Sequence, residues 1–445
     1  MSDAVTVAPA HSLQASTLGW LQIASLGVAI AISGNFSGWN YGLALGGWGG
    51  MFAAAALMAV LYLGLTQIVG ELAASLPEQS GFDQYVTAAF GPRAGGAAGM
   101  ALFAGLAVGT GLAASFISAY AQSVAGIGGW PLKIALLIVV AWLQTRGARD
   151  SVRATVIAGA LALTVLLIFC AALAPHFDST HLLSASVAAT PTLMPAGLAG
   201  VFACVPFALF FFIGVEQAAL AAAEAKDAAR TVPRALTVAV LTALVVGFSV
   251  LIIATGVAGA DRLAHSDDPL YTAVASIGAG SSLGSLAPSL IGSAATVSLL
   301  ATFFSLSYAA SRQAYALASV GELPRWLTRT NRRHAPHIAV AVVAAIGVVA
   351  AAFEPDTVMV LFVFLLNVAY QMVLAAYIRL KTRQHGPKSS FRAFGGSWTA
   401  GITSLLSLVV LAACLHQEPL VNSLAAVALL LYVAIARKYS TQTNT

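Results

Sequence analysis

Charge is what this chain has least of. Only 8% of its 445 residues are Asp, Glu, Lys or Arg, where a soluble globular protein carries roughly 25%. With 59% hydrophobic residues and a mean hydropathy of +0.88, no water-soluble fold of this length could hide its apolar surface. A polytopic helical membrane protein has no need to, because lipid takes the place of a core. Cysteine is scarce as well. Cys170, Cys204 and Cys414 all sit inside apolar runs, as small hydrophobes do, which excludes a disulfide framework or a cysteine metal cluster. His176 and His181 lack zinc-site spacing. A membrane enzyme needs His, Asp or Glu gathered near one membrane face; no such grouping is visible, so an enzyme is not expected. The opening MSDAVTVAPAHSLQAST contains Asp3 and no Lys or Arg. It lacks the basic n-region of a signal peptide and reads as a short tail, residues 1–19.

What is present is a succession of about twelve apolar stretches of membrane-crossing length. They lie near residues 20–48, 50–76, 92–125, 131–146, 153–173, 196–223, 235–259, 287–319, 337–353, 356–379, 398–415 and 420–436. Assigning the loops alternately to two sides puts 19 of the 21 Lys and Arg residues on one of them, leaving only Lys133 and Arg262 on the other. By the positive-inside rule the first side is cytoplasmic, and both termini lie there. The pI near 9.2 therefore records topology rather than nucleic-acid binding. The expected layout is one transmembrane domain over 20–437 and a cytoplasmic tail over 438–445.

Two stretches are wrong for plain spanning helices. ISGNFSGWNYG, Ile32 to Gly42, places Ser33, Gly34, Asn35 and Ser37 in the middle of the first span. Small-residue packing accounts for Ser37 and Gly38, but not for Asn35 beside Gly34 in mid-membrane. A break in the helix accounts for all of them: Gly34 frees the backbone, Ser33 and Asn35 bind freed groups, and half-helix ends present their dipoles. Five spans later, FFIGVEQAALAAAEAKD carries Gly214 and Glu216 deep in an apolar run, whereas Glu71 and Glu224 lie close to cytoplasmic ends. A mid-membrane acid costs about 2.5–3.5 kcal/mol on insertion scales and is usually functional. Glu216 is either a protonated cap for a helix end, or a counter-charge for a cation or a proton carrier. Interruptions in spans 1 and 6, at matching positions of two five-span halves, are the sequence-level pointer to a transporter's binding site.

Other candidates carry weaker signals. Thr110, beside Gly105, Gly109 and Gly111 in span 3, either faces substrate or sits in a close helix contact. Thr302, Ser305 and Ser307 in span 8 either help ligate sodium or bond their own backbone. Tyr308, a further candidate substrate or ion contact, precedes Arg312, which snorkels or pairs with a carboxylate. Trp39, Trp48 and Trp130 suit an interfacial belt. Asn367 and Gln371 in span 10 either line a path or glue helices.

The segments ISGNFSGWNYGLALGGWGG, GELAASLPEQSGFDQYVTAAFGP, PFALFFFIGVEQAALAAAEAKDAARTVPRAL and YAASRQAYALASVGELP resemble the amino acid–polyamine–organocation superfamily, and within it most of all the ethanolamine permease family. The resemblance spans residues 32 to 324. It implies an all-α fold with an inverted five-plus-five repeat, about 20–173 and 196–379, and two extra helices over 398–436. It further implies a substrate site between the broken spans and uptake driven by an ion gradient. Exposed backbone groups at the first break, Ser33, Gly34, Asn35, Phe36 and Ser37, would receive a carboxylate or other polar group. Carbonyls of the second break, Phe211, Phe212, Ile213, Gly214 and Glu216, would receive an amine, with Phe211 or Phe212 as an aromatic gate. Asn35 stands where those permeases often carry aspartate, Glu224 is followed by Ala225 rather than a second glutamate, and span 5 has no lysine. The coupling ion is thus left between a proton and sodium, and no other cofactor or metal is expected.

The function these residues point to is a secondary transporter in a bacterial inner membrane that imports a small amine, ethanolamine first, by alternating access. The alternative is a permease for small neutral amino acids, to whose carboxylate the neutral Asn35 is better suited. The partners are the substrate and the lipid bilayer; the oligomeric state is not legible.

Overall fold

The computed structural model describes residues 19–76, 81–146, 151–184, 191–225, 227–277, 282–382 and 391–442. Arg149, Lys226, Arg383 and Lys388, counted above for topology, lie outside them, as do residues 1–18 and 443–445. The described chain is helical almost throughout. In order the helices are α1 (Trp20–Ala31), α2 (Tyr41–Ser75), α3 (Phe82–Phe90), α4 (Pro92–Ala125), α5 (Gly129–Thr145), α6 (Ser151–Leu173), α7 (Gly197–Leu209), α8 (Ala228–Ala258), α9 (Ala260–Ala264), α10 (Pro269–Ala275), α11 (Ser282–Ser319), α12 (His337–Ala350), α13 (Pro355–Thr382), α14 (Ser397–Gln417) and α15 (Pro419–Gln442). Seven are long and apolar enough to cross a membrane. Five shorter apolar segments, Trp20–Asn35, Gly129–Thr145, Gly197–Leu209, His337–Ala350 and Pro419–Ala434, fall where the remaining expected spans lie. The fold is an all-α polytopic membrane protein. In lipid every backbone polar group must be satisfied internally, so helices are the only economical way to place this many apolar residues.

The first span differs from a single helix over 20–48. α1 stops at Ala31, a 3-10 turn runs over Ile32–Asn35, and the chain re-enters regular helix at Tyr41. Hydrogen bonding then runs through to Ser75, with a kink at Gly47 (φ 65°, ψ −174°). The boundary between the first two expected spans is therefore a bend inside α2. The sixth span is broken in the same manner: α7 ends at Leu209, and a 3-10 helix occupies Val215–Glu224.

The bundle packs α4 against α11 and α13, α2 against α7 and α8, and α1 against α6 and α8. The outer helices expose apolar side chains that the central ones bury. α6 and α14 leave Ile157, Ile168, Ile402 and Leu405 exposed, while Met58, Tyr62 and Leu65 of α2 are buried. Asn367 and Gln371 turn out to join helices: Asn367 Nδ2 donates to the Ser407 carbonyl at 2.7 Å and Gln371 Nε2 to Ser404 Oγ at 2.7 Å, tying α13 to α14. Arg312 lies over the Tyr308 ring at 3.9 Å and donates to Ser311 Oγ at 3.1 Å. Trp130 is exposed, as an interfacial residue should be, and Trp48 is half-buried. Trp39 is not interfacial. It is wholly buried, donates from Nε1 to the Asn35 carbonyl at 3.1 Å, and stacks on Phe211 with ring centroids 5.9 Å apart.

Candidate functional site

The two breaks touch. An added Cβ on Gly34 would sit 2.5 Å from the Phe210 carbonyl oxygen, and one on Gly214 would sit 2.5 Å from Ile30 Cγ2. Gly214 is also at φ 109°, a conformation that a side chain would strain. Glycine at these positions lets the interrupted helices approach through their backbones. Inside the first break the backbone remains paired locally. Phe36 N–H reaches the Ser33 carbonyl at 3.1 Å, and Gly38 N–H reaches Asn40 Oδ1 at 3.1 Å. In the second, Phe212 N–H reaches the Leu209 carbonyl at 3.0 Å, and Gly214 N–H donates to Glu216 Oε2 at 2.9 Å.

Between the breaks lies a cavity of about 40 Å3. Ile30, Ser33 and Gly34 line it from the first break, and Phe210, Ile213, Gly214, Glu216 and Gln217 from the second. Leu106 of α4, Thr302 and Leu306 of α11, and Phe362 and Leu366 of α13 complete it. Its polar groups are few. Ser33 Oγ donates to the Ile30 carbonyl at 2.9 Å, keeping its acceptor capacity, and Thr302 Oγ1 is buried without a partner. Such a lining, mostly apolar with a few placed polar groups, is what a small-molecule site requires.

The expected site residues divide. Ser33, Gly34, Ile213, Gly214, Glu216 and Thr302 come together around the cavity. Asn35, Phe36, Ser37, Phe211 and Phe212 do not line it. Asn35 is buried with Nδ2 on the Ile32 carbonyl at 3.2 Å, and its Oδ1 lies toward Gly247 of α8, without a partner. The Phe36 carbonyl accepts from the Tyr120 hydroxyl at 2.6 Å. Phe211 and Phe212 pack behind the cavity, on Trp39 and Tyr62. Of the second break's phenylalanines the one that lines it is Phe210, which meets Phe116 and Phe362 edge to face at 6.1 and 6.0 Å. The resemblance implied Phe211 or Phe212 as the aromatic gate; which ring points inward depends on the turn geometry. Thr110 donates to the Ala107 carbonyl at 2.6 Å and faces Gly347 of α12. Ser305 donates to the Ala301 carbonyl at 2.9 Å, and Tyr308 stacks on Phe304. None of these three lines the cavity.

Glu216 is the centre of a network that crosses the bundle. Its Oε2 accepts from Tyr62 at 2.9 Å and from Gly214 N–H at 2.9 Å; its Oε1 accepts from Tyr370 at 2.8 Å and from Gln217 Nε2 at 3.2 Å. Tyr62 and Tyr370 are themselves 3.0 Å apart. Three oxygen–oxygen contacts thus link a carboxyl group and two phenols. The two phenolic protons can fill only two of the contacts while the carboxylate is charged. A third proton, on Glu216, fills all three as a closed ring. The site can therefore take up one proton without leaving any of its oxygens unpaired. Tyr62 and Tyr370 carried no signal in the sequence, because a tyrosine in an apolar helix looks like packing.

Two further clusters of contacts flank the site. On the face opposite the basic loops, Asn40 Nδ2 donates to the Leu263 and Ser266 carbonyls at 3.0 and 2.7 Å, pinning the end of the first break to the α9–α10 segment. On the basic face, Glu71 accepts from Lys381 Nζ at 2.6 Å, Tyr377 at 2.6 Å and the Ala393 N–H at 2.8 Å. This buried cluster ties α2 to α13 below the Glu216 network, on the same pair of helices.

A helical bundle with two broken spans around a small cavity is the architecture of a secondary transporter. Residues 18–435 match the amino acid permease family, and the chain belongs to that family, within the amino acid–polyamine–organocation superfamily. It is 24% identical over 318 residues to an uncharacterized transporter of Rhizobium meliloti, covering 69% of this chain and 66% of that one. It is 26% identical over 361 residues to a probable amino-acid permease of Schizosaccharomyces pombe, covering 78% and 62%. It is 25% identical over 326 residues to a D-serine/D-alanine/glycine transporter of Escherichia coli, covering 71% and 67%. The chain spans a little under two thirds of the length of the first two. These relatives are transporters, and two of the three are named for amino acids; nothing in them singles out the ethanolamine permeases.

Proposed function

We propose that this protein carries a small neutral amino acid across the membrane by alternating access, and that a proton bound at Glu216 is the coupling ion. The observation that carries the reading is the saturation of Glu216. Two phenols, a backbone N–H and an amide already occupy its oxygens, which leaves no free carboxylate for a lone ammonium ion. An amino acid brings its own carboxylate. It would meet the first break around Ser33 and Gly34, with its ammonium toward the carbonyls of the second break and Thr302. A cavity of about 40 Å3 has room for roughly three waters, which suits glycine, alanine or serine better than leucine or arginine. The basic face is cytoplasmic by the bias of Lys and Arg, and the membrane is the bacterial inner membrane.

Ethanolamine is the second reading. Among the described residues Glu216 is the one ionisable side chain lining the cavity, and its longest contact, to Gln217 at 3.2 Å, is the one an ammonium would displace. Counterflow in proteoliposomes separates the two. Vesicles preloaded with unlabelled alanine should accumulate labelled alanine, with serine and glycine competing and ethanolamine inert. Accumulation of labelled ethanolamine with no effect of alanine would overturn the amino acid reading. An alanine uptake that follows a sodium gradient and ignores a proton gradient would remove Glu216 as the coupling site.

A further inference from the structure

We propose that the pocket at the start of α8 binds the phosphate headgroup of an anionic phospholipid at the basic face of the protein. The pocket has a volume of about 330 Å3 and lies outside the transport cavity. Arg230 and Arg234, one helical turn apart, supply its charge, and Phe391, from the segment before α14, closes one side.

The two arginines are held differently. The Arg234 guanidinium lies 4.0 Å from the centroid of the Trp20 ring at the start of α1. Stacking engages its flat face and leaves its N–H edge to pair with an oxyanion. The Arg230 side chain is 87% exposed, and the carboxylate beside it, Asp227, is at 3.9 Å, beyond hydrogen-bonding distance. Thr237 is already committed: it accepts from Gln67 Nε2 at 2.9 Å and donates to the Pro233 carbonyl at 2.8 Å. It shapes the floor and leaves anion recognition to the guanidinium groups.

What points to a lipid rather than a soluble phosphate is the continuation of the same helix face. Val238, Leu241 and Val245 follow Arg234 at intervals of four, three and four residues, which keeps them on one side of α8. Leu241 is 48% exposed and Val245 65%. The face thus runs from guanidinium groups to bare aliphatic side chains, matching an anionic headgroup followed by an acyl chain. Basic pockets between membrane helices on the cytoplasmic side are where anionic headgroups bind. A lipid seated here would touch both α8 and Trp20, bracing the first half-helix against its neighbour.

The test is native mass spectrometry of the purified full chain in detergent, titrated with dioleoylphosphatidylglycerol or dioleoylphosphatidylcholine. The phosphatidylglycerol should be retained roughly tenfold better, R230Q/R234Q should lose that preference, and millimolar inorganic phosphate should not displace the lipid. Equal retention of the two lipids, or a double variant that holds phosphatidylglycerol as the unsubstituted protein does, would overturn the proposal. Displacement by inorganic phosphate, with the same dependence on the arginines, would assign the pocket to a soluble oxyanion instead and remove the lipid. Should the double variant fail to elute as a single species, R230Q alone decides the matter. Its exposed side chain makes no packing contribution to lose, and the preference should fall at least threefold.

Discussion

The hydroxyl oxygens of Tyr62 and Tyr370 lie 3.0 Å apart, with the Glu216 carboxylate within 2.9 Å of both. Neither tyrosine belongs to a broken helix. They come from α2 and α13, so the network joins the second break to two other helices. Removing one hydroxyl opens the ring: only the contact between Glu216 and the remaining phenol survives, and a proton added to Glu216 loses the oxygen that accepts it. Tyr62→Phe and Tyr370→Phe should each lower proton-driven uptake roughly tenfold, the cost of one charge-assisted hydrogen bond, and move the pH at which uptake is half-maximal. Uptake measured in proteoliposomes across a pH series checks this. An unchanged profile would show that the ring is structural.

The close approach of the two breaks predicts a graded response to added methyl groups. In Gly34→Ala the new Cβ meets the Phe210 carbonyl at 2.5 Å, and backbone cannot swing aside as a side chain can. In Gly214→Ala the clash with Ile30 adds to the strain at φ 109°, together about 1–3 kcal/mol or more. Both variants should lose substrate binding, and Gly214→Ala should also melt earlier. Scintillation proximity binding beside thermal unfolding in detergent separates the two effects.

Phe210 sets the size of the cavity. Phe210→Ala removes the aromatic wall shared with Phe116 and Phe362. The variant should accept leucine or valine as competitors that the unsubstituted protein rejects, and should bind alanine more weakly. If substrate range does not widen, the cavity described above is not the one that seats the side chain.

The Glu71–Lys381 contact is a partly buried ion pair with supporting donors. Removing one partner of a buried pair costs about 3–5 kcal/mol, but Lys381 is about one-third exposed, which reduces the expected loss to about 1–3 kcal/mol. Lys381→Met and Glu71→Gln should each destabilise, and the double variant should be less damaging than the two losses added together. A double-mutant cycle on unfolding in detergent measures this. Strict additivity would mean the pair contributes no coupling.

Asp267, in the loop between α9 and α10, has its carboxyl pushed above the usual carboxylate range by burial and by the neighbouring charges of Asp268 and Glu354, with Lys133 opposing. The sign follows directly. The folded state holds this proton more tightly than the unfolded chain does, so the group favours folding below the ordinary aspartate range and loses that contribution as pH rises through its raised value. Asp267→Asn should therefore flatten the pH dependence of thermal stability between mildly acidic and neutral conditions. A variant with the same slope as the unsubstituted protein would contradict it.

Much of the fold could be read directly. Twelve apolar runs, the one-sided placement of Lys and Arg, and two polar interruptions are local properties of the chain, and in a bilayer local hydropathy and backbone satisfaction leave few alternatives to spanning helices. The kink at Gly47 instead of a loop, and the burial of Trp39, were not legible. Both depend on what the other helices place opposite them.

The site divides along the same line. The sequence determined that spans 1 and 6 break and that an acid sits at the second break, because Gly, Ser, Asn and Glu in apolar helices have a cost that their neighbours in sequence cannot relieve. Tertiary structure decided which side chains face the cavity and what Glu216 does there. Phe210 rather than Phe211 or Phe212 points inward because the turn after Leu209 sets the rotation of the chain. Glu216 is saturated because Tyr62 and Tyr370, each 154 positions away along the chain, arrive from two other helices. Hydrogen bonds of that range are fixed by helix packing, and no pattern along the chain encodes them.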